Sequence, residues 1–237
     1  MIGKLNGKVA VVTGGAVRIG RAICEALARE GAKVVVHYRD SEEPAAELCA
    51  AIGARRVRAD LSTEEGCTRL MKDAGKLDIL VNSAAVFHKD PLRGVTADKL
   101  LAEFWPNLFA PILLTRAFAE QTRKGSIVNI LDRRIAGLDT TCVPYLLAKK
   151  ALADFTKLAA LELAPGITVN GVAPGPILPP PGHGADYLRD HAGPVPLDKT
   201  FAPQDIADAV LFLVGNDNLT GQILYVDGGQ HLLGNDP

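Results

Sequence analysis

The run Val9-Ala10-Val11-Val12 ends on Thr13-Gly14-Gly15, and from Ile19 the apolar residues Ile19, Ile23, Ala26 and Leu27 return at helical spacing. A short strand, a glycine-rich turn and an amphipathic helix in that order constrain the fold more than any other stretch. A strand this continuously apolar must be covered on both faces. Gly31 closes the helix, as a glycine beyond a helix end does. The alternation then recurs along the chain. Strands are predicted at 33–37, 55–59, 77–82, 126–131, 167–171 and 222–226, and helices at 44–51, 64–74, 96–121, 143–163 and 202–214. Pro106 and Pro111 should bend the 96–121 helix or divide it. Strands alternating with helices predict an α/β fold: one doubly wound domain over residues 1–237, with a mostly parallel sheet of about seven strands.

Residues 174–196 break this rhythm. They are rich in proline and glycine, with at most a helical turn at 185–189. A loop of that length more often serves as a lid than as filler, and it is the candidate substrate loop. Elsewhere the composition mainly excludes. At 237 residues the chain can bury one substantial core. Lys plus Arg number 26 against 27 acidic residues, a formal charge of -1, which gives no sign of a nucleic-acid or membrane partner. No stretch approaches the roughly 18 apolar residues of a membrane span. The opening MIGKLNGKVAVVTGG lacks the apolar run and cleavage-like site of a secretory leader. Cys24, Cys49, Cys67 and Cys142 form no CxxC pair and read as reduced thiols, so a cytoplasmic protein is expected. The five histidines show no metal-ligand spacing, and no GxSxG elbow occurs.

The turn TGGAVRIG, residues 13–20, joins the first strand to the first helix. Glycines there let the backbone approach a pyrophosphate, and a helix amino end adds unpaired N–H groups and a favourable dipole. Gly14 and Gly20 stand six apart, with Arg18 where a further glycine would complete the commoner pattern. The bland alternative is a set of purely structural glycines. Strand two ends on His37-Tyr38-Arg39, with Asp40 and Glu42 only afterwards. An NAD enzyme places a carboxylate at that strand end, whereas Arg39 and Arg18 suit the 2′-phosphate of NADPH. A solvated Arg39 without a ligand is the competing view.

One more stretch, DRRIAGLDTTCVPYLLAKK, holds Asp132, Tyr145 and Lys149. Lys149 lies one helical turn beyond Tyr145 on the same face, and its ammonium should lower the phenol's pKa from the usual value of roughly 10. Asp132 as a surface partner of Arg133 or Arg134 is the alternative for the carboxylate.

Taken together, Thr13-Gly14…Gly20, Asp60, Asn82, Asn107, Tyr145 with Lys149, Pro174-Gly175 and VDGG at 226–229 make the chain resemble the short-chain dehydrogenase/reductase family over nearly its whole length. That resemblance implies a Rossmann-like domain. Within the family the chain is similar to pteridine reductases and bacterial dihydromonapterin reductases. The similarity rests on Arg18, on His37-Tyr38-Arg39, and on Asp132 at the position of the usual catalytic serine.

The resemblance implies NADPH bound along Gly14, Arg18, Ile19, Gly20, His37, Tyr38, Arg39, Asp60, Leu61, Asn82, Ser83, Ala84, Pro174 and Gly175, together with Tyr145 and Lys149. Asp60 would meet the adenine edge, and Lys149 the nicotinamide ribose. Asp132, Tyr145, Lys149 and Asn107 would be catalytic, with Asn107 helping to hold an active-site water and Lys149. Phe87 would stack on a pterin, which Arg18 would also reach. A loop phenylalanine covering the core is the bland reading of Phe87. Asn82-Ser83 and Ala85 depart from the family's pair of asparagines and the glycine or serine two residues beyond.

An ionised carboxylate at 132 would repel the oxyanion of a ketone. It suits a pterin, whose ring nitrogen is protonated by Tyr145 and Asp132 after hydride arrives at the adjacent carbon. The expected activity is therefore NADPH-dependent reduction of a dihydropterin such as dihydrobiopterin, dihydromonapterin or dihydrofolate, and the resemblance implies a homotetramer. A carbonyl or quinone reductase and a non-catalytic dinucleotide-binding regulatory protein are the other two readings.

Overall fold

The computed structural model describes residues 3–179, 182–184 and 186–233. Its seven strands are β1 (Val9–Val12), β2 (Lys33–Tyr38), β3 (Arg55–Arg58), β4 (Ile79–Asn82), β5 (Gly125–Ile130), β6 (Ile167–Pro174) and β7 (Ile223–Val226). They form one sheet in the order 3-2-1-4-5-6-7, and each neighbouring pair is parallel. The helices are α1 (Arg18–Arg29), α2 (Glu42–Ile52), α3 (Glu64–Ala74), α4 (Ala97–Phe104), α5 (Ala110–Gln121), α6 (Val143–Glu162), α7 (Asp186–His191) and α8 (Pro203–Val214). This is the single Rossmann-like α/β domain expected from the sequence.

Successive strand residues point to opposite faces, and this sheet buries both. From β1, Ala10 and Val12 pack with Ile23 and Leu27 of α1 and Val210 and Leu213 of α8. Val11 faces the other way, onto Leu70 of α3 and Leu114 and Phe118 of α5. Truncating a fully buried Leu27 or Phe118 to alanine would cost about 2–5 kcal/mol. Hence the unbroken valines, which would alternate with polar residues in a half-exposed strand.

The predicted 96–121 helix is divided. Between α4 and α5 the chain makes a π-helical turn, Trp105–Phe109, with Pro106 inside it. Proline has no N–H for the carbonyl four residues back and its ring crowds that group, so the ladder widens rather than continues. β6 is longer than the predicted 167–171. The strand runs on to Pro174, where Val172, Ala173 and Pro174 pair with Leu224, Tyr225 and Val226. The helical turn predicted at 185–189 is α7, one to two residues later; residue 185, like 180 and 181 of the substrate loop, lies outside the described residues.

Among the described residues no helix is long and apolar enough to cross a membrane. The four cysteines are buried and unpaired.

After β1 the chain builds outward to β2 and β3, then returns to the other side of β1 for β4. The loops at the carboxyl ends of β1 and β4 therefore part in opposite directions. Open α/β sheets hold their ligands in the crevice this leaves.

Candidate active site

A cleft of about 900 Å³ opens at that switch point. It takes in the turns that follow β1 to β6, and Tyr187 and His191 of α7 border it.

Its phosphate end is built by close approach. Gly14 has φ +62, and a Cβ there would stand 3.0 Å from the Ala84 Cα. A Cβ on Gly20 would come within 2.2 Å of the Gly14 carbonyl oxygen, so α1 can begin this near the turn only with a glycine. Arg18 also takes a positive φ of 55, which is uncommon for a side-chain-bearing residue. Val17 caps α1 without a side-chain bond, and Arg18, Ile19 and Gly20 of the first turn line the cleft. Uncapped amides, glycines with no room for a side chain and a neighbouring guanidinium fit a pyrophosphate. Arg18 meanwhile donates from Nη2 to the Leu178 carbonyl at 3.3 Å, joining the phosphate turn to the substrate loop.

At the end of β2 the three predicted residues diverge. His37 is buried, and its Nδ1 accepts from the Gly14 N–H at 3.0 Å. Its proton therefore sits on Nε2, 3.1 Å from the Ala59 carbonyl. Burial pushes this imidazole down to about 4, against the opposing pull of the Ala59 bond and Asp60. With both nitrogens committed, His37 braces the phosphate turn and has no donor or acceptor left for a ligand. Tyr38 is also buried, its hydroxyl on Glu42, which in turn pairs with Arg56 at 3.1 Å. Arg39 is exposed and pairs with Asp40 at 2.7 Å, while Arg58 donates to the Arg39 carbonyl. Arg39 thus borders the cleft with a guanidinium accessible to a 2′-phosphate. Asp60 and Leu61 border it as well; Asp60 accepts from the N–H and hydroxyl of Ser62, which hold its carboxyl below the usual range.

Asn82 is not on the cleft surface. It is buried, its Nδ2 donates to Asn129 at 2.8 Å, and Asn129 continues to Thr156. Thr13 carries the local bracing instead: its hydroxyl accepts from the backbone N–H groups of Ser83 and Ala84, both at 2.9 Å. Ser83 and Ala84 line the cleft. Asn107 is fully buried in the π-helical turn, donating to the Val86 carbonyl and to Glu103 at 2.9 and 2.8 Å. Its Oδ1 has no partner. A water is the natural occupant of such a site, though Asn107 itself does not line the cleft.

The opposite end brings the reactive groups together. β5 delivers Asp132 to the carboxyl edge, and α6 presents Tyr145 and Lys149. The Tyr145 hydroxyl donates to Asp132 Oδ2 at 2.9 Å. Arg134 also holds Asp132, from its N–H to Oδ1 at 2.8 Å and from Nη1 to Oδ2 at 3.0 Å. The two readings of Asp132, partner of the phenol and partner of an arginine, are both realised. Phe87 stands edge-on to Tyr145 with centroids 4.8 Å apart, and it is 42% exposed on the cleft wall.

The expectation that Lys149 lowers the phenol's pKa is not met. Burial first, then the Asp132 charge and hydrogen bond, push Tyr145 well above the usual phenol value, opposed by Arg134. Lys149 is itself buried, donates to the Ile130 carbonyl at 2.9 Å, and stands 5.9 Å from the centroid of the Tyr145 ring. Burial pushes its ammonium down to about 8, although Asp132 and Glu103 favour its charge.

Pro174 and Gly175 complete the far wall. A Cβ on Gly175 would stand 2.8 Å from that of Asp227, so the strand ends converge too closely for a side chain. Among the described residues no group of His, Cys, Asp and Glu could hold a metal ion.

Comparison with known proteins agrees with this architecture. A family profile described as enoyl-(acyl carrier protein) reductase matches residues 14–231. "Glucose and ribitol dehydrogenase homolog 2" of Arabidopsis thaliana is 33% identical, the match spanning 95% of this chain and 86% of that protein. A solved structure of FolM alternative dihydrofolate reductase 1 from Brucella canis, complexed with NADP, superposes with a TM-score of 0.90 at 30% identity, over 99% of this chain and 98% of that one. A second solved structure, a short-chain dehydrogenase/reductase family protein, gives 0.89 at 36% identity over 97% and 99%. The chain belongs to the short-chain dehydrogenase/reductase family.

Proposed function

We propose that this protein is an NADPH-dependent reductase of a dihydropterin, carrying it to the tetrahydro form. The observation that carries the reading is the Asp132–Tyr145 hydrogen bond on the cleft wall. Support comes from the Brucella canis relative, an alternative dihydrofolate reductase solved with NADP.

The cofactor would lie with its pyrophosphate on the α1 amino end, its 2′-phosphate at Arg39 and its nicotinamide toward Tyr145 and Lys149. When bound it would supply the hydride for the carbon of the substrate C=N bond. Tyr145 supplies the matching proton to the adjacent nitrogen. Burial and the Asp132 charge keep the phenol protonated at neutral pH, so the proton is in place, and the negative charge left as it departs needs a neighbouring cation. Asp132 orients the hydroxyl and can accept from substrate N–H groups, which a ketone lacks. Phe87 offers an aromatic face on the cleft wall, and stacking would add about 1 kcal/mol beyond area burial. Lys149, charged below about pH 8, would hold the ribose. Asn107, through its unpartnered Oδ1, would hold a water at the buried end.

The second reading, a carbonyl reductase, is favoured by the Arabidopsis thaliana relative, a dehydrogenase homolog of sugar and polyol name. Loss of NADPH absorbance against a panel of dihydropterins and ketones separates the two. Turnover of a dihydropterin, abolished in Tyr145→Phe, supports the first; faster turnover of ketones than of any dihydropterin supports the second.

A cytoplasmic homotetramer belongs to the same proposal. The buried, unpaired thiols favour a reducing compartment. Leu147, Leu158 and Leu161 of α6 and Leu101 of α4 are exposed, and a helix face of this kind suits self-association. Light scattering in solution tests it.

A further inference from the structure

Asp132 and Tyr145 do not hold one another unaided. Asp132 opens a 3₁₀ turn, Arg133–Ala136, whose second residue is Arg134. Besides its two bonds to Asp132, Arg134 donates from Nε to Asp139 Oδ2 at 3.0 Å. Its guanidinium carbon lies over the Phe87 ring, 5.4 Å from the centroid. One planar group therefore bridges two carboxylates and lies against the aromatic that meets Tyr145 edge-on. A lysine, with a point charge and no fork, could not make these contacts together.

We propose that Arg134 is the positioning residue of the proton-delivering pair: it fixes Asp132 against the Tyr145 hydroxyl and supplies a positive charge, bonded to the same carboxylate oxygen, as the phenol's proton leaves. This role rests on the reductase reading above, in which Tyr145 is the donor.

Charge placement is the argument. A phenol losing its proton beside Asp132 creates a second negative charge within hydrogen-bond distance of the first. Asp139 adds another carboxylate behind Arg134. Lys149 directs its ammonium to the Ile130 carbonyl, and it is Arg134 whose charge opposes the rise of the Tyr145 pKa. Cys142, at the start of α6, is a neutral thiol pushed up to about 12 by burial. Arg133 feels Asp227 as well as Asp132, and His88 is paired with Glu103. Arg134 is thus the cation tied by hydrogen bond to the same carboxylate oxygen as the phenol.

The test is steady-state turnover of NADPH and a dihydropterin by wild type, Arg134→Lys, Arg134→Gln and Arg134→Ala, with NADPH affinity measured by fluorescence in parallel. Loss of a charge-assisted pair predicts a kcat lower by about 10- to 100-fold in Arg134→Gln, and an intermediate value in Arg134→Lys. NADPH affinity should stay within about twofold. Added guanidinium ion at non-denaturing concentration should restore part of the kcat of Arg134→Ala, whereas equal sodium chloride should not. A merely structural arginine would not show that rescue. Unchanged kcat in Arg134→Gln, or a defect confined to NADPH affinity or melting temperature, overturns the proposal. Wild-type turnover with a normal Arg134→Gln rejects Arg134 alone, whereas an inert wild type rejects the reductase reading and this role with it.

Discussion

Tyr145 donates its hydroxyl to Oδ2 of Asp132 at 2.9 Å, across thirteen residues of sequence and from α6 to the end of β5. The contact joins a phenol kept protonated by burial to a carboxylate kept in place by an arginine. It gives the cleft a proton donor with a charged acceptor beside it, a combination that suits a nitrogen heterocycle better than a ketone.

Removing the donor is the first test. Tyr145→Phe keeps the ring against Phe87 and deletes the hydroxyl. Loss of a general acid should lower kcat by about 10²- to 10⁴-fold with NADPH affinity unchanged, as stopped-flow binding and steady-state rates would show. A variant with near-normal kcat would mean that the proton comes from elsewhere.

Lys149 makes the rate sensitive to alkali. Burial lowers its ammonium to about 8, so the free enzyme carries the charge below that pH and loses it above. If the charge holds the cofactor ribose, kcat/KM for NADPH should decline as pH rises through about 8. Lys149→Met should weaken binding at all pH values and abolish that limb. A flat profile in wild type to well above this pH would contradict the assignment.

His37 should limit acid stability. Its imidazole is neutral in the fold down to about 4 but titrates near 6.5 when unfolded. Between those values the unfolded chain binds a proton that the folded chain refuses, so stability falls as pH drops from about 6.5 to about 4. The full loss is about 3 kcal/mol. Thermal melts across this range should show the slope in wild type and a shallower one in His37→Gln, at some cost to stability at neutral pH. Equal slopes would remove His37 as the cause.

Two glycines with positive φ allow a matched comparison. Gly14→Ala would place a Cβ 3.0 Å from Ala84 in the phosphate turn, whereas at Gly7, with φ +79, nothing lies within 4 Å. Both substitutions carry left-handed strain of about 1 kcal/mol. Only Gly14→Ala should also weaken NADPH binding, measured by isothermal calorimetry. Equal affinities in the two variants would show that the turn does not form the phosphate site.

The fold was legible because parallel strands buried on both faces read as unbroken apolar runs, and helices between them keep their own period. Pro106 announced a break in the helix but not its π-helical form, which depends on how α4 and α5 remain packed around it. The site was legible in its ingredients more than in its directions. His37 and Asn82 stand at the carboxyl ends of their strands, where ligand contacts are expected, yet His37 shares its side of β2 with Val35 and points into the protein. Asn82 turns to Asn129 on the next strand. Strand pairing decides both, and neither is visible in one strand's sequence. Helical spacing placed Lys149 beside Tyr145 but could not weigh burial, which dominates the phenol. In sequence Arg134 reads as a surface partner of Asp132; the signal for more is its place two residues after Asp132, where a short turn folds it back over the carboxylate.

The most direct test of the central claim is kcat/KM with NADPH for a dihydropterin and for a ketone, in wild type and in Asp132→Ser. A carboxylate matched to a ring nitrogen predicts that wild type prefers the dihydropterin and that Asp132→Ser loses most of that preference, because the substitution restores a hydroxyl donor. A wild-type protein that reduces the ketone faster, or an Asp132→Ser variant with its dihydropterin preference intact, would contradict it.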